Sequence, residues 1–191
     1  MQKHLLDIEN ILITSRTVIR RFKEQDGKPL YDLIQNNRER FEDRFLTLAQ
    51  IHSVEEATLF IHQKLSEWYA QTCFSFAVWD TDSANIIGYI ELNNIDWTIP
   101  KAEGILFIDR QFEGQGIMSE VVTTVISFAF EQIKLKKVSL IIASDNYAAQ
   151  RLARKCGFRR EGDLRNELRK SGGELSDAML LSYTDQDYFK V

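Results

Sequence analysis

The sequence is poor in every residue type that marks a disulfide-stapled, metal-built or fibrous protein. Its only cysteines, Cys73 and Cys156, are too few and too unpatterned for a disulfide framework or a zinc site, which points to a reducing compartment and to no metal. The three histidines, His4, His52 and His62, form no ligand set, and His52 and His62 read as exposed residues flanking a helix. Two prolines and nine glycines leave no collagen-like or low-complexity segment. No apolar run approaches a membrane span, and the opening "MQKHLLDIENILI" lacks the apolar stretch of a signal peptide, so a cytoplasmic location without membrane contact is expected. A net charge of -4 argues against a general grip on nucleic acid and favours an amine-bearing partner.

What is present is an ordinary globular chain of 191 residues, 44% hydrophobic, read as one domain over residues 1–191. "TVIRRF" (17–22) reads as a strand. "DGKPLYDLIQNN" (26–37) reads as a helix capped by Asp26, with Leu30, Leu33 and Ile34 on one face. In "SVEEATLFIHQKLSEWYAQ" (53–71), Ser53 and Glu56 spell a capping box ahead of helically spaced apolar residues. Three strands follow, 74–80, 86–97 and 101–109, joined by short turns as in an antiparallel meander. A second long helix, 117–133, carries apolar residues four apart, and an apolar strand over 136–144 and a helix over 146–156 come next. Gly157 stops that helix, and a hairpin ends the chain. The order β-α-α-β-β-β-α-β-α-β-β predicts an α/β or α+β fold with one mixed, mostly antiparallel sheet flanked by helices. The strand–helix–strand unit at its centre is a parallel crossover.

The informative stretch is "IDRQFEGQGIMSE" (108–120), where Gly114 and Gly116 lie between a strand and a helix start. Such a turn lets backbone approach a ligand, and the helix end offers free N–H groups beside its positive dipole end, a site for phosphate or diphosphate. A tight turn with no ligand remains the plainer alternative. A P-loop is excluded because Ile117 and Met118 stand where Lys and Ser/Thr are needed. A dinucleotide site is disfavoured by the missing third glycine, by the distance to Asp145 and by the hairpins upstream.

These residues resemble the GNAT superfamily of acetyl-CoA-dependent N-acetyltransferases. The resemblance runs from Thr17 to the C-terminal hairpin and is densest from Lys101 to Phe158, in "EGQGIM" (113–118) and "NYAAQRLARKCGF" (146–158). "FEGQGIMSEVV", Ala102 with Glu103, and "CGFRREG" are similar to the branch that acetylates the N-terminal residues of ribosomal proteins. The resemblance implies that backbone amides over Glu113, Gly114, Gln115, Gly116, Ile117, Met118 and Ser119 hold the coenzyme's diphosphate. It also implies that the pantetheine arm pairs with Leu106, Phe107 and Ile108, and that Asn146 bonds the arm from across an opened sheet. Acetyl-CoA is then the co-substrate and an amine, a protein N-terminus or a small molecule, the acceptor, in a monomer or homodimer. The chain departs from the family's pattern at Glu113, where Arg or Gln is usual, and at Met118, where Gly or Ala is usual.

Acetyl transfer needs a neutral amine, a polarised thioester and a proton for the departing thiolate. Glu103 and Glu91 are the candidate bases, each with solvated surface as its plainer reading. The family's usual thiolate acids, a Tyr or Ser after the Asn, are replaced here by Ala153 and Ala149, which leaves Tyr183, Ser144 or water. Cys156 reads as a small buried hydrophobe. Arg151, Arg154, Lys155, Arg159 and Arg160 form a basic cluster, either a solvated face or a contact for the coenzyme's 3'-phosphate. Rival readings are a catalytically weak coenzyme-A-binding module, an acetyltransferase for a small amine or antibiotic, a nucleotide-dependent oxidoreductase and a pure interaction domain.

Overall fold

A computed structural model describes residues 8–170 and 172–190, with positions 43, 44 and 46 described by backbone alone. His4, the first seven residues of the opening stretch and Ser171 in the final turn lie outside them. Eight strands form one sheet: β1 (Ile11–Ile13), β2 (Thr17–Arg21), β3 (Phe74–Asp80), β4 (Ile86–Asp96), β5 (Lys101–Ile108), β6 (Lys137–Ala143), β7 (Arg159–Arg169) and β8 (Leu175–Thr184). Their spatial order is β1-β2-β3-β4-β5-β6-β8-β7, and every neighbouring pair is antiparallel except β5 with β6. The mixed, mostly antiparallel sheet expected from the pattern is present with one strand more. Three residues of β1, with Ile11 and Ile13 exposed, are too few to show a period.

The helices are α1 (Gly27–Asn36), α2 (Arg38–Arg44), α3 (Leu46–Ala49), α4 (Val54–Ala70), α5 (Ile117–Ser127), α6 (Tyr147–Lys155) and α7 (Asp185–Tyr188). Asp26 stands at the N-cap position of α1 but makes no cap to that helix. Its carboxylate accepts from Arg20 Nη1 at 2.7 Å and Nη2 at 2.9 Å and from the Lys23 amide at 2.8 Å. A buried carboxylate with a bidentate guanidinium in reach gains more from that pair than from one neutral N–H. Ser53 caps α4 as expected, accepting from the Glu56 amide at 3.1 Å, but Glu56 reaches back to the amide of His52 rather than to that of Ser53. The helix expected over 117–133 ends as α5 at Ser127 and continues as one π turn, Phe128–Gln132. Its apolar positions are buried throughout, from Ile117 and Val121 to Ala129 and Ile133.

Two apolar clusters lie on the two faces of the sheet. One gathers α5, its π turn and the end of α6 around Ile90, Leu92, Ala102 and Val138. There Trp68 meets Phe74 and Phe76 edge-on with ring centroids 5.0 Å apart in both pairs, a geometry that adds about 0.5–1.5 kcal/mol per pair beyond area burial. The other gathers α1, α2 and α4 around Ala77, Tyr89 and Phe107. Strand β5 therefore buries side chains on both faces while its backbone holds the sheet's centre.

Candidate active site

The central feature is an interrupted sheet. Strands β5 and β6 pair in parallel only at Lys101↔Lys137, Ala102↔Val138 and Glu103↔Ser139. Past that point β5 continues to pair with β4 through Gly88↔Ile108, and β6 with β8 through Ala143↔Ala178, so the two halves stay intact while they separate. A cavity of about 340 Å³ fills the opening, walled by Gly104 to Leu106 on one side, Leu140 to Ala143 on the other, and α6 through Ala149, Leu152 and Ala153. From Gly104 onward the β6-facing edge of β5 offers backbone groups with no strand partner, which suits an extended ligand that adds as a strand. Leu106 lines this wall. Phe107 points away, its ring centroid 4.2 Å from that of Phe41, and its N–H and C=O face β4: the Asp109 amide bonds Ile87 O at 2.7 Å, which makes Gly88↔Ile108 the non-bonded pair and Tyr89↔Phe107 the bonded one. Contrary to expectation Phe107 thus offers the opening no backbone group, whereas Ile108, packed on the α5 side, turns its backbone toward it. Asn146 lines the same cleft from the α6 side and caps that helix, its Oδ1 accepting from the Ala149 amide at 3.2 Å.

At the C-terminal end of β5 the chain makes a short 3-10 turn, then Gly114 and Gly116 take left-handed φ values of +71° and +80°. Among the described residues, the amides of Gly114, Gln115, Gly116, Ile117 and Met118 donate to no protein acceptor; Ser119, next along, already bonds Gly116 O at 3.1 Å. These five amides lie in the turn and first residues leading into an 11-residue helix, with its dipole behind them. Ile117 and Met118 bury their side chains in the core, so Met118 leaves the donor surface unaltered. Glu113 is ion-paired with Arg40 of α2. Arg16 bonds Gln115 O at 3.0 Å and pairs with Glu120 at 2.5 Å, tying the turn to the start of β2.

The two candidate bases share one sheet face but differ in setting. Glu103 lines the cleft and accepts from Asn94 Nδ2 at 3.0 Å. Glu91 is buried and does not line it. Its Oε2 accepts from Tyr89, from Ser75 at 3.3 Å and from Lys64 of α4 at 3.0 Å, and its Oε1 from Asn93 at 2.9 Å. The surroundings titrate as that charge requires. Burial works against the Lys64 ammonium, but Glu91 beside it holds its pKa above the usual lysine value. Burial, and then Glu91, push the Cys73 thiol up to about 12 and Tyr89 well above the usual phenol.

Tyr183 and Ser144 do not line the cleft; the Tyr183 ring packs among Phe130, Phe158 and Tyr188. Cys156 is half-buried and its pKa is raised, mainly by burial. In the basic cluster, Arg159 pairs with Asp187 at 3.2 Å and Arg160 with Asp163. His52 and His62 are exposed, and no group of metal-ligating side chains exists among the described residues. Sequence reasoning missed Phe45, Arg169, Lys170 and Ser176, which close the far side of the cleft. It also missed Lys64, Tyr89 and Asn93 around Glu91. Period two along "YIELN" placed Tyr89, Glu91 and Asn93 on one face, but only α4 showed that this face is buried.

No helix among the described residues is long and apolar enough to cross a membrane. Residues 16–159 match the family model of the acetyltransferase (GNAT) domain. The chain is 26% identical over 162 residues to the N-acetyltransferase YoaA of Bacillus subtilis (strain 168), covering 85% of this chain and 90% of that one. In fold it is similar to the ribosomal-protein-S5-alanine acetyltransferase of Vibrio fischeri, with TM-score 0.85 and 20% identity over 94% of this chain and 99% of that one. It is also similar in fold to RimL, the ribosomal L7/L12 α-N-protein acetyltransferase solved with coenzyme A, with TM-score 0.86 and 18% identity over 92% and 98% of the two chains. With a sheet opened between β5 and β6 and a glycine turn at the head of α5, this chain belongs to the GNAT acetyltransferase family.

Proposed function

We propose that the protein transfers the acetyl group of acetyl-CoA to a primary amine by direct attack in a ternary complex, and that the acceptor is the N-terminal amine of a protein. The observation that carries the reading is the continuity of two donor surfaces: the unpaired edge of β5 beyond Glu103 leads into five free amides at the head of α5. An extended amide-bearing arm and a diphosphate, in that order, match this layout. Backbone of Leu106 and Ile108, with Asn146, holds the arm; the amides of Gly114 to Met118 hold the diphosphate, because those of Glu113 and Ser119 already bond Arg110 O and Gly116 O. When bound, acetyl-CoA supplies the thioester. No metal enters this scheme.

In this reading Glu103 is the base that takes the amine's proton, directly or through one water. Asn93, opposite Glu103 in the β4–β5 register, gives its Nδ2 to Glu91, while its Oδ1 is buried with no partner among the described residues. Glu91, enclosed by donors, orients Asn93. The acceptor class rests on the two ribosomal-protein acetyltransferases of like fold.

A second reading, a coenzyme-binding module with weak turnover, is favoured by Ala149 and Ala153, two methyl groups on the α6 wall of the cleft. The deciding experiment measures acetyl-CoA consumption against N-terminal peptides, polyamines and aminoglycosides, with coenzyme binding by calorimetry in parallel. Turnover with peptides supports the proposal. Turnover restricted to polyamines or aminoglycosides overturns the acceptor class, and binding without turnover on any amine establishes the second reading. Gly114→Glu adds a charge and a side chain at φ +71°. We expect it to lose coenzyme binding while remaining folded, because a Cβ there meets nothing within 4 Å.

A further inference from the structure

The carboxylate of Glu113 stands at the edge of the donor turn, where the family pattern carries Arg or Gln, and an unbalanced carboxylate there opposes an anion. Arg40, distant in sequence, meets it. Its Nη2 is paired with Glu113 Oε1, and its Nη1 donates to Ile108 O at 3.0 Å and to Asn37 Oδ1 at 3.2 Å. The guanidinium carbon lies 4.9 Å from the centre of the Phe107 ring. These contacts fix the guanidinium at the junction between the end of β5 and the glycine turn. Asn37 anchors the same corner: it is buried, donates to Asp109 Oδ2 at 3.0 Å and accepts from the Arg110 amide at 3.1 Å. Even so, a third of the Arg40 side chain stays exposed. A guanidinium held by backbone and amide contacts, sharing one side with a half-exposed carboxylate, is placed to bond a second anion without rebuilding its surroundings.

We infer that Arg40 is a ligand of the diphosphate bound at Gly114 to Met118, supplied from α2 in place of the cation absent at position 113. Glu113 holds the guanidinium in the free protein and shares it with the diphosphate in the complex. The inference rests on the coenzyme reading above, and its test separates the two.

The test is calorimetric binding of acetyl-CoA at low ionic strength to the wild type, Arg40→Gln, Glu113→Gln and the double variant, each checked for an unchanged melting transition. Arg40→Met, which removes the cation but keeps an apolar stem beside the Phe107 ring, serves in place of Arg40→Gln if the latter melts early. Loss of one charge-assisted bond at a part-exposed site weakens binding about tenfold, equivalent to about 1.4 kcal/mol. We expect that loss in Arg40→Gln, tighter binding in Glu113→Gln because the competitor for the guanidinium is gone, and continued weak binding in the double variant. S-acetylpantetheine, which lacks the diphosphate, is the control, and Arg40→Gln should leave its affinity unchanged. Wild-type affinity in the double variant would mean that Arg40 only neutralises Glu113, and unchanged affinity in Arg40→Gln would mean that it does neither; both overturn the inference. Failure of the wild type to bind acetyl-CoA overturns the coenzyme reading itself.

Discussion

Glu91→Gln gives the sharpest test of how the two carboxylates divide their work. The substitution keeps shape and removes charge from a side chain that is 5% exposed, beside a Lys64 side chain that is 13% exposed. Removing one partner of a buried pair costs about 3–5 kcal/mol when the other is left uncompensated. Lys64 is not wholly abandoned, because Glu67 also lies 3.0 Å from its Nζ. Asn93 adapts as well: its partnerless Oδ1 can turn to accept from the new amide. The cost therefore falls below that range, at about 2–3 kcal/mol, and in a domain of this size about 1 kcal/mol lowers the melting temperature by about 2–4 °C. We expect a loss of about 5–10 °C by differential scanning calorimetry. Turnover per folded molecule should fall less than tenfold, with the acid limb of kcat/KM against pH in place, since Glu103, the proposed base, is intact. A hundredfold or greater loss of kcat together with loss of that limb, at unchanged melting temperature, would refute the assignment and make Glu91 the base.

Glu103→Gln should do the reverse, removing the acid limb while the melting temperature stays within about 2 °C, a change that surface-level substitutions do not exceed; stopped assays across pH read it. Gly157→Ala should destabilise by about 1–3 kcal/mol, since Gly157 has φ +96° and an added Cβ would lie 2.9 Å from Tyr183 Cζ, as urea titration will show. Cys73 should resist alkylation by iodoacetamide at pH 8 in the folded protein, because the thiolate is the reactive form. The raised thiol pKa has a stability consequence with a definite sign. The folded state keeps this proton from the unfolded thiol value of about 9 up to about 12, so stability falls as pH rises across that window. Cys73→Ser should flatten that alkaline decline.

Elements with repeated patterns were legible because their burial is one-sided or complete. The spacing in α4 and its capping Ser53 place that helix to within a residue of its observed ends, and the spacing in α5 places its start, although the regular helix gives way to a π turn after Ser127. β1, α2 and α3 were not foreseen, and the reason is length: three to seven residues carry too few repeats for any period to show. Asp26 failed as a cap because Arg20, a neighbour only through the fold, competes for it. In the candidate site, "NYAAQRLARKCGF" falls on the α6 wall of the cleft and "EGQGIM" on the free-amide turn at the head of α5. Nothing in the chain's local pattern paired Arg40 with Glu113, Arg16 with Glu120 or Lys64 with Glu91, contacts that span dozens of residues each.

The sequence by itself determined the order of elements, the glycine turn between a strand and a helix, and the family, because these are set by periodicity, backbone freedom and local spelling. Only the tertiary structure decided which carboxylate faces the cleft. Glu91 and Glu103 sit in similar strands, but packing of α4 encloses one with Lys64, while divergence of β6 from β5 exposes the other. It decided, too, that Glu113 does not stand alone at the donor turn, because α2 brings Arg40 to it and charge balance belongs to the assembled surface rather than to the motif.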